Sequence, residues 1–453
     1  MVFVQNSAQL LDHGCRGLRS AALDIVEHAL TAADPYHAVR ELVHLDGDHL
    51  TVGDLSYDLS KRGAVYVLGA GKATLRIAEA LEEILGSRIT DGLVAIKRGQ
   101  PHSLRYMRVI EAGHPIPDEN SLKAGQEMMD LASQMQAGNI VFTAVTGGSS
   151  SLLCYPAEGM TLEDKRQVHK LLLTCGAGIV EINAVRKHLS RVKGGLLAQA
   201  VLPAELINLT VSDVIEDPLD YICCPVVPDT SSVSDAIDVL KKHELWDRVA
   251  PSVRSHLGKG AGAETPKELD PRLVHSFVLV PLSAASAAAS ARAKELNYST
   301  FLLTTTLTGE SREVGACLAA IVREIAKRGR PFAAPCALIA NGENTVVVPE
   351  GSGTGGPSQE LAASLALHIE GLANVVAVCL DTDGTDGPTE FAGAMVDSET
   401  AARARALGYD LFRSLRSHNV TPLLQDVRDI VCTGATGTNV ADLVLLLVDR
   451  QSA

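Results

Sequence analysis

Aromatic side chains are scarce in this sequence: Phe, Tyr and Trp make up 4% of 453 residues, and there is one Trp. Platforms on which bases stack are thereby excluded as its working principle. Positive charge is short as well, with 40 Lys and Arg against 54 Asp and Glu and a formal net charge of −14. A nucleic-acid backbone rewards a basic face, so nucleic acid is excluded as a partner. Small anions are not excluded, because a local basic cluster suffices for them. Nine cysteines occur without a Cys-x-x-Cys pair or metal-finger spacing, and Cys223 and Cys224 are adjacent. That usage fits reduced thiols in an intracellular compartment better than a disulfide framework. No apolar run reaches membrane-spanning length, so no membrane partner is expected. The first fourteen residues lack the basic stretch and apolar centre of a secretory leader. The expected setting is the cytoplasm, with an organelle left open.

What is present begins with length: 453 residues exceed one ordinary core, so two domains are expected. Residues 375–380 form a β-branched apolar run, the pattern of a strand buried on both faces. The run breaks into Asp381, Thr382, Asp383, Gly384, Thr385, Asp386, Gly387 and Pro388. Carboxylates this close repel one another unless a cation or hydrogen-bond donors compensate them. Hard oxygen ligands of this kind suit Mg²⁺ held through one or two carboxylates and a substrate's phosphates. A solvated acidic turn is the competing reading. An EF-hand is excluded, because Asp386 stands where its glycine belongs and Ala392 where its glutamate belongs.

Residues 18–43 read as helical, with Pro35 between two segments. Residues 64–68 read as a strand running into Gly69-Ala70-Gly71-Lys72, with a helix over 75–85. Strand, glycine turn and helix N-terminus make an anion site of backbone N–H groups, and Lys72 stands beside it. It is neither a Walker loop nor a full dinucleotide fingerprint, since Ala73 follows the lysine and Thr74 replaces the third glycine. Strands over 92–96, 108–111 and 139–145, alternating with helices, predict a parallel, doubly wound sheet. The strand 139–145 delivers Thr146-Gly147-Gly148-Ser149-Ser150-Ser151, small residues able to wrap an anion. A nucleophile elbow fails there, because Gly-x-Ser-x-Gly is not satisfied.

A helix over 171–192 is expected to carry Arg186, Lys187, His188 and Arg191, with Lys193 just beyond, as a basic face that is either a site or solvated. A strand over 206–211 delivers Asp213 to a sheet edge, where open α/β sheets place chemistry. Residues 258–270, rich in Gly, Pro and charge, are the candidate linker between domains 1–257 and 271–453. Glycine loops recur at 351–356 and 433–439, the second containing Gly434, Thr436, Gly437, Thr438 and Asn439.

Taken in order, eight of these motifs resemble the class II glycerate 2-kinase family. They are LGAGKA (68–73), GHPIPD (113–118), TGGSSSLL (146–153), INAVRKHLSRVKGG (182–195), SDVIEDPLD (212–220), LTGESREV (307–314), TDGTDGPTEFAGA (382–394) and TGATGTNVADL (433–443). The resemblance implies two α/β domains with an active-site cleft between them, a Rossmann-like N-terminal one and a C-terminal one containing a MOFRL region at about 334–446. It implies transfer of the γ-phosphoryl of ATP to the 2-hydroxyl of D-glycerate with Mg²⁺, and a homodimer is allowed for. It places Lys72 on the transferring phosphoryl or the carboxylate, Arg186 on the carboxylate and Asp213 as base or orienter, with Lys193 and Ser149 also on the substrate. Gly147, Gly148, Ser149 and the loop Gly434, Thr436, Gly437, Thr438, Asn439 would hold nucleotide phosphates, and Asp383 and Asp386 would hold the metal.

Departures from the family pattern stand beside the matches. The family's Gly-Arg-Asn-Gln-Glu is Gly356-Pro357-Ser358-Gln359-Glu360 here, so an arginine expected in the cleft is missing. Its Ser-Gly-Pro is Cys223-Cys224-Pro225, its Gly-Asp-Pro is Glu216-Asp217-Pro218, its Gly-Gly-Glu is Asn341-Gly342-Glu343, and its Thr-Asn-Val-Asn-Asp is Thr438-Asn439-Val440-Ala441-Asp442. Two other classes therefore stay in view: a weakened or non-catalytic binding paralogue, and a hydroxypyruvate reductase suggested by the glycine turn at 69–71.

Overall fold

The computed structural model describes residues 2–450 apart from 217, 223 and 350. Asp217, within one of the departing stretches noted above, and Cys223, itself a departure, thus lie outside the described residues. The chain divides into two compact units, one of residues 35–280 and the other of residues 1–34 with 281–453.

The unit 35–280 opens with an antiparallel meander, β1 (Val43–Asp46), β2 (His49–Val52) and β3 (Leu55–Asp58). Its main sheet contains β4 (Val65–Ala70), β5 (Ile89–Lys97), β6 (Arg108–Ala112), β7 (Ile140–Val145), β8 (Glu205–Val211) and β9 (Val274–Val280). The strand order is β6-β5-β4-β7-β8-β9 and every pairing is parallel, the doubly wound arrangement expected from the alternating pattern. Strands β4 and β7 are buried along nearly their whole length, as strands covered on both faces must be. The order reverses between β4 and β7, and open α/β sheets bind ligands outside the carboxyl ends of the strands at that reversal. The two loops that leave there are 71–73 and 146–151.

The other unit contains β10 (Ser299–Glu310), β11 (Cys336–Thr345), β12 (Val375–Asp381), β13 (Gly393–Asp397), β14 (Ile430–Val431) and β15 (Asp442–Val448), ordered β10-β11-β15-β12-β13-β14. Only β10 and β11 pair in parallel; the remaining ladders are antiparallel. The helices Ser311–Arg328 and Pro357–His368 pack on it through Leu318, Val322, Leu361 and Leu365. The apolar run ending in the acidic loop is β12, buried from Val375 to Leu380.

The division differs from the expected 1–257 and 271–453. Residues 258–270 are no free linker: Ala263 sits in a core cluster, and Glu264 and Thr265 bond to His188 and Asp229. Strand β9 pairs with β8 and moves the boundary to 280/281. At the other end, helix Arg16–Ala32 joins the unit of the last third of the chain. Its Arg19 is fully buried and donates to Asp397 and Asp429, each at 2.7 Å. The expected single helix over 171–192 is two, Leu162–Thr174 and Ile179–His188, interrupted at Gly176 and Gly178.

Candidate active site

At the reversal point, strand β4 is followed by Gly71, where a Cβ would lie 2.0 Å from Thr146 Oγ1. Its φ of +145° and this approach leave glycine as the one residue that fits. The two strand ends close on each other: Lys72 N donates to the Gly147 carbonyl at 2.8 Å, and Ala73 N to Thr146 Oγ1 at 3.2 Å. A Cβ on Gly148 would meet Lys72 Cγ at 3.0 Å and His114 Nε2 at 3.3 Å, so the lysine stem and the imidazole lie against that glycine. Lys72, Gly147, Gly148 and Ser149 are thus brought together. Asp213 follows the neighbouring strand β8 on the same edge and is half-buried.

Behind the loop 146–151 lies a cavity with free volume of about 20 Å³, walled by Ser150, Lys165, His169, Arg186, Leu189 and Lys193. Lys193 donates to Ser150 Oγ at 3.0 Å, Lys165 to the Leu189 carbonyl at 3.1 Å, and Arg186 to His169 Nδ1 at 2.6 Å. Among the described residues no carboxylate lines it. Desolvation disfavours each charged form. Burial, with same-sign neighbours adding to it, pushes Lys165 down to about 8 and His169 to about 4. Burial also lowers Lys193 and takes Arg186 to about 10. The imidazole is therefore neutral at physiological pH and accepts from Arg186.

The basic run of the sequence is sorted by this geometry. Arg186 and Lys193 face the cavity, whereas Lys187 pairs with Asp220 at 2.8 Å and Asp229 at 2.6 Å. His188 meets Glu264 at 2.8 Å, and Arg191 stacks on Tyr155. Lys165 and His169 escaped the sequence reading. Their signal is a four-residue spacing on one helix face, shared by many surface helices.

In the other unit, three loops meet at the end of β12. Gly384, at φ +92°, passes so close to Gly434 that a Cβ would lie 1.9 Å from its carbonyl oxygen. Thr436 N donates to the Asp383 carbonyl at 3.2 Å, and Thr436 Oγ1 to the Thr382 carbonyl at 2.5 Å. Thr438 donates through its hydroxyl to the Ala33 carbonyl. Asn439 is buried beside it, and Gly437 takes a left-handed φ of +79°. The acidic loop and the 433–439 loop are thereby one structure. Asp386 is 1% exposed, and its oxygens accept from Ser358 N at 3.0 Å and Gln359 N at 2.8 Å, in the first turn of helix Pro357–His368. Burial, with the charge of Asp383 contributing, pushes Asp386 up to about 7. Burial, then the charge of Asp386, holds Asp442 well above the ordinary carboxylate range.

Among the described residues no three of His, Cys, Asp and Glu are placed to hold a metal ion by themselves. Mg²⁺ does not ask for that, because it is held through one or two carboxylates completed by water and phosphate oxygens. A carboxylate that resists ionisation beside another is a donor set such a cation would relieve, so Asp383 and Asp386 fit the ion.

The chain matches the model of a domain of unknown function, DUF4147, over residues 21–258 and that of the MOFRL family over residues 336–442. It is 40% identical to the glycerate 2-kinase of Pyrococcus horikoshii over 96% of this chain and 98% of that protein. It belongs to the class II glycerate 2-kinase family. The D-glycerate 2-kinase of Thermotoga maritima is 38% identical, covering 95% of this chain and 98% of that protein. A crystal structure of glycerate kinase from Thermotoga maritima superposes with a TM-score of 0.81 at 37% identity, over 95% of this chain and 99% of that one. The two α/β domains are therefore those of the glycerate 2-kinase family. Its missing arginine maps to Pro357, the first residue of helix Pro357–His368, where a proline costs no helical hydrogen bond. The departure at Asn341 is structural: its amide donates to the carbonyls of Val440 at 3.0 Å and Asp442 at 2.7 Å, fixing β11 to the start of β15. Ala441, where the family has asparagine, adopts φ +59°, a conformation that asparagine tolerates better than alanine.

Proposed function

We propose that this chain transfers the γ-phosphoryl group of ATP to the 2-hydroxyl of D-glycerate, giving 2-phosphoglycerate. The observation that carries the reading is the concentration of cations, Lys72 with Lys165, Arg186 and Lys193, beside the glycine loops of the β4/β7 reversal, in a protein whose net charge is −14. Phosphoryl transfer asks mainly for positioning and for neutralisation of oxygen charge, and those are the groups that supply it. The names and near-complete coverage of the relatives support the same reaction.

In this reading Lys72, with its stem on Gly148, meets the transferring phosphoryl or the carboxylate. Arg186 and Lys193 take the carboxylate, with Ser149 beside them. Asp213 accepts the proton of the attacking 2-hydroxyl or orients that hydroxyl. Gly147, Gly148 and Ser149 hold nucleotide phosphates, as do Gly434, Thr436, Gly437, Thr438 and Asn439. Asp383 and Asp386 would hold Mg²⁺, which neutralises phosphate oxygens when bound. The reading includes a cytoplasmic setting and allows for a homodimer, which sedimentation of the purified chain measures.

The test is ADP release across small hydroxy acids, with the phosphorylated carbon read by NMR. Lys72→Ala is expected to abolish transfer while leaving the unfolding midpoint unchanged, since Lys72 is only half-buried at a loop. Wild-type turnover in that variant overturns the role of Lys72, and absence of phosphoglycerate from the wild-type chain overturns the reaction. Pro357 favours the second reading, a weakened kinase that binds ATP and glycerate but turns over poorly.

A further inference from the structure

We infer that the cation-lined cavity between helices Leu162–Thr174 and Ile179–His188 is the seat of the substrate's carboxylate, and that Lys165 and His169 are binding residues of it. The inference rests on the glycerate reading for the identity of the acid.

Its first support is an imbalance of charge. Three cations, Lys165, Arg186 and Lys193, converge on about 20 Å³ of free space, two of them almost wholly buried, and among the described residues no carboxylate lines the wall. Buried charges in proteins are otherwise paired or coordinate an ion. Lys187, one residue along the same helix, shows the usual solution with two aspartates at hydrogen-bond distance. The cavity lacks that solution, so its counter-charge comes from a ligand. Burial first, and then the neighbouring cations, lower the proton affinities of Lys165 and Lys193, in keeping with that imbalance.

The second support is unused donor capacity. Arg186 Nε is buried without a hydrogen-bond partner among the described residues, and Lys165 and Lys193 each spend one of three N–H groups on the protein. His169, neutral under the pressure of burial and of the Arg186 charge, lends its ring as an acceptor that fixes the guanidinium. Arg186 is thereby oriented without a carboxylate, which would have cancelled its charge. The third support is position and size. Ser150 both caps Lys193 and belongs to the loop that packs on Lys72, so the cavity shares a wall with the proposed phosphoryl site. The free space, about 20 Å³, is on the scale of a single small polar group.

The experiment is calorimetric titration of the intact protein, without ATP, with D-glycerate, glycerol, D-glyceraldehyde and inorganic phosphate. D-glycerate is expected to bind, and the two uncharged analogues to bind at least tenfold more weakly. Lys165→Gln, which keeps a donor for the Leu189 carbonyl but removes the charge, is expected to weaken D-glycerate at least tenfold. Arg191→Gln, on the exposed cation stacked on Tyr155, is expected to leave it unchanged. Should Lys165→Gln fail to fold by circular dichroism, His169→Asn is read in the same way. D-glycerate affinity within twofold of wild type in the folded variant overturns the inference. So does phosphate competing with D-glycerate on equal terms, which would make the cavity a phosphate seat. Lys165-dependent glycerate binding without phosphoglycerate formation defeats the kinase reading alone. Phosphoglycerate formation with Lys165-independent binding defeats this inference alone.

Discussion

Replacing Arg19 by methionine tests how the N-terminal helix is held. The guanidinium is fully buried and donates to Asp397 and Asp429 at 2.7 Å each, to the Leu10 carbonyl at 2.6 Å and to the Met395 carbonyl at 3.2 Å. Arg403 reaches the same two aspartates at 3.0 and 2.7 Å, so two arginines neutralise two carboxylates. Methionine fills most of the volume but leaves one buried negative charge uncompensated, a loss of about 3–5 kcal/mol. In a unit of about 200 residues each kcal/mol moves the midpoint by about 2–4 °C, so the unfolding midpoint is expected to fall by about 6–20 °C. The measurement is scanning calorimetry at pH 7.5 and again near pH 3, below the ordinary aspartate value of 3.8. Burial alone would raise Asp397, but Arg19 and Arg403 outweigh it and hold its carboxyl below the ordinary range. That stabilisation is present above the unfolded-state value and is lost as pH falls through the folded one. The variant has less of it to lose, so its deficit should shrink toward acid. A midpoint within 2 °C of wild type at pH 7.5, or a deficit that does not change with pH, refutes the reasoning.

Asp386→Asn is expected to change the pH profile of stability. Because the folded-state value is raised to about 7 from an ordinary 3.8, the contribution of Asp386 is intact below about pH 4 and is lost as pH rises to about 7. The variant should therefore gain on wild type by more than about 1 kcal/mol between those limits, and parallel profiles in thermal melts would rule this out. Pro357→Arg restores a cation at a first-turn position without a new backbone path. One buried charge-assisted contact contributes about 1.5–3 kcal/mol, hence about ten- to a hundredfold in kcat/KM for D-glycerate. Unchanged or lower kcat/KM would show that another cation, such as Arg312, already serves. Ala441→Asn should raise stability by about 1 kcal/mol, because alanine is strained at φ +59°; a lower denaturation midpoint would show that the buried site has no room for the amide.

Local chemistry made much of this protein legible. The glycine turn before Lys72, the parallel sheet of the unit 35–280 and the buried strand that ends in the acidic loop all follow from patterns within thirty residues. Contacts that span hundreds of residues left no such trace. Arg19 finds Asp397 and Asp429 at separations of 378 and 410 residues, so nothing in its neighbourhood marks residues 1–34 as part of the later unit. The same holds inside the site. Arg186, Lys187 and His188 are consecutive, yet only the distant positions of Asp220, Asp229 and Glu264 decide which of them are neutralised and which one is left facing the cavity. Composition misled at 258–270, where Gly, Pro and charge serve a packed turn bonded to Asp229 and His188.

The place of β15 in its sheet also sets an order of events during synthesis. Strand Asp442–Val448 lies between β11 and β12 and pairs with both, so the two halves of the sheet are not joined until it arrives. Helix Arg16–Ala32 leaves the ribosome long before β12 and β15, on which it packs. At 5–20 residues per second its apolar face, with Leu18, Ala22, Ile25, Val26 and Leu30, waits roughly 20–80 s for the strand it rests on. Residues 35–280 complete their own sheet in that interval. A ribosome stalled before residue 442 therefore presents one finished unit flanked by two sticky, unfinished halves of the other, the natural substrate of a chaperone that shields apolar helices.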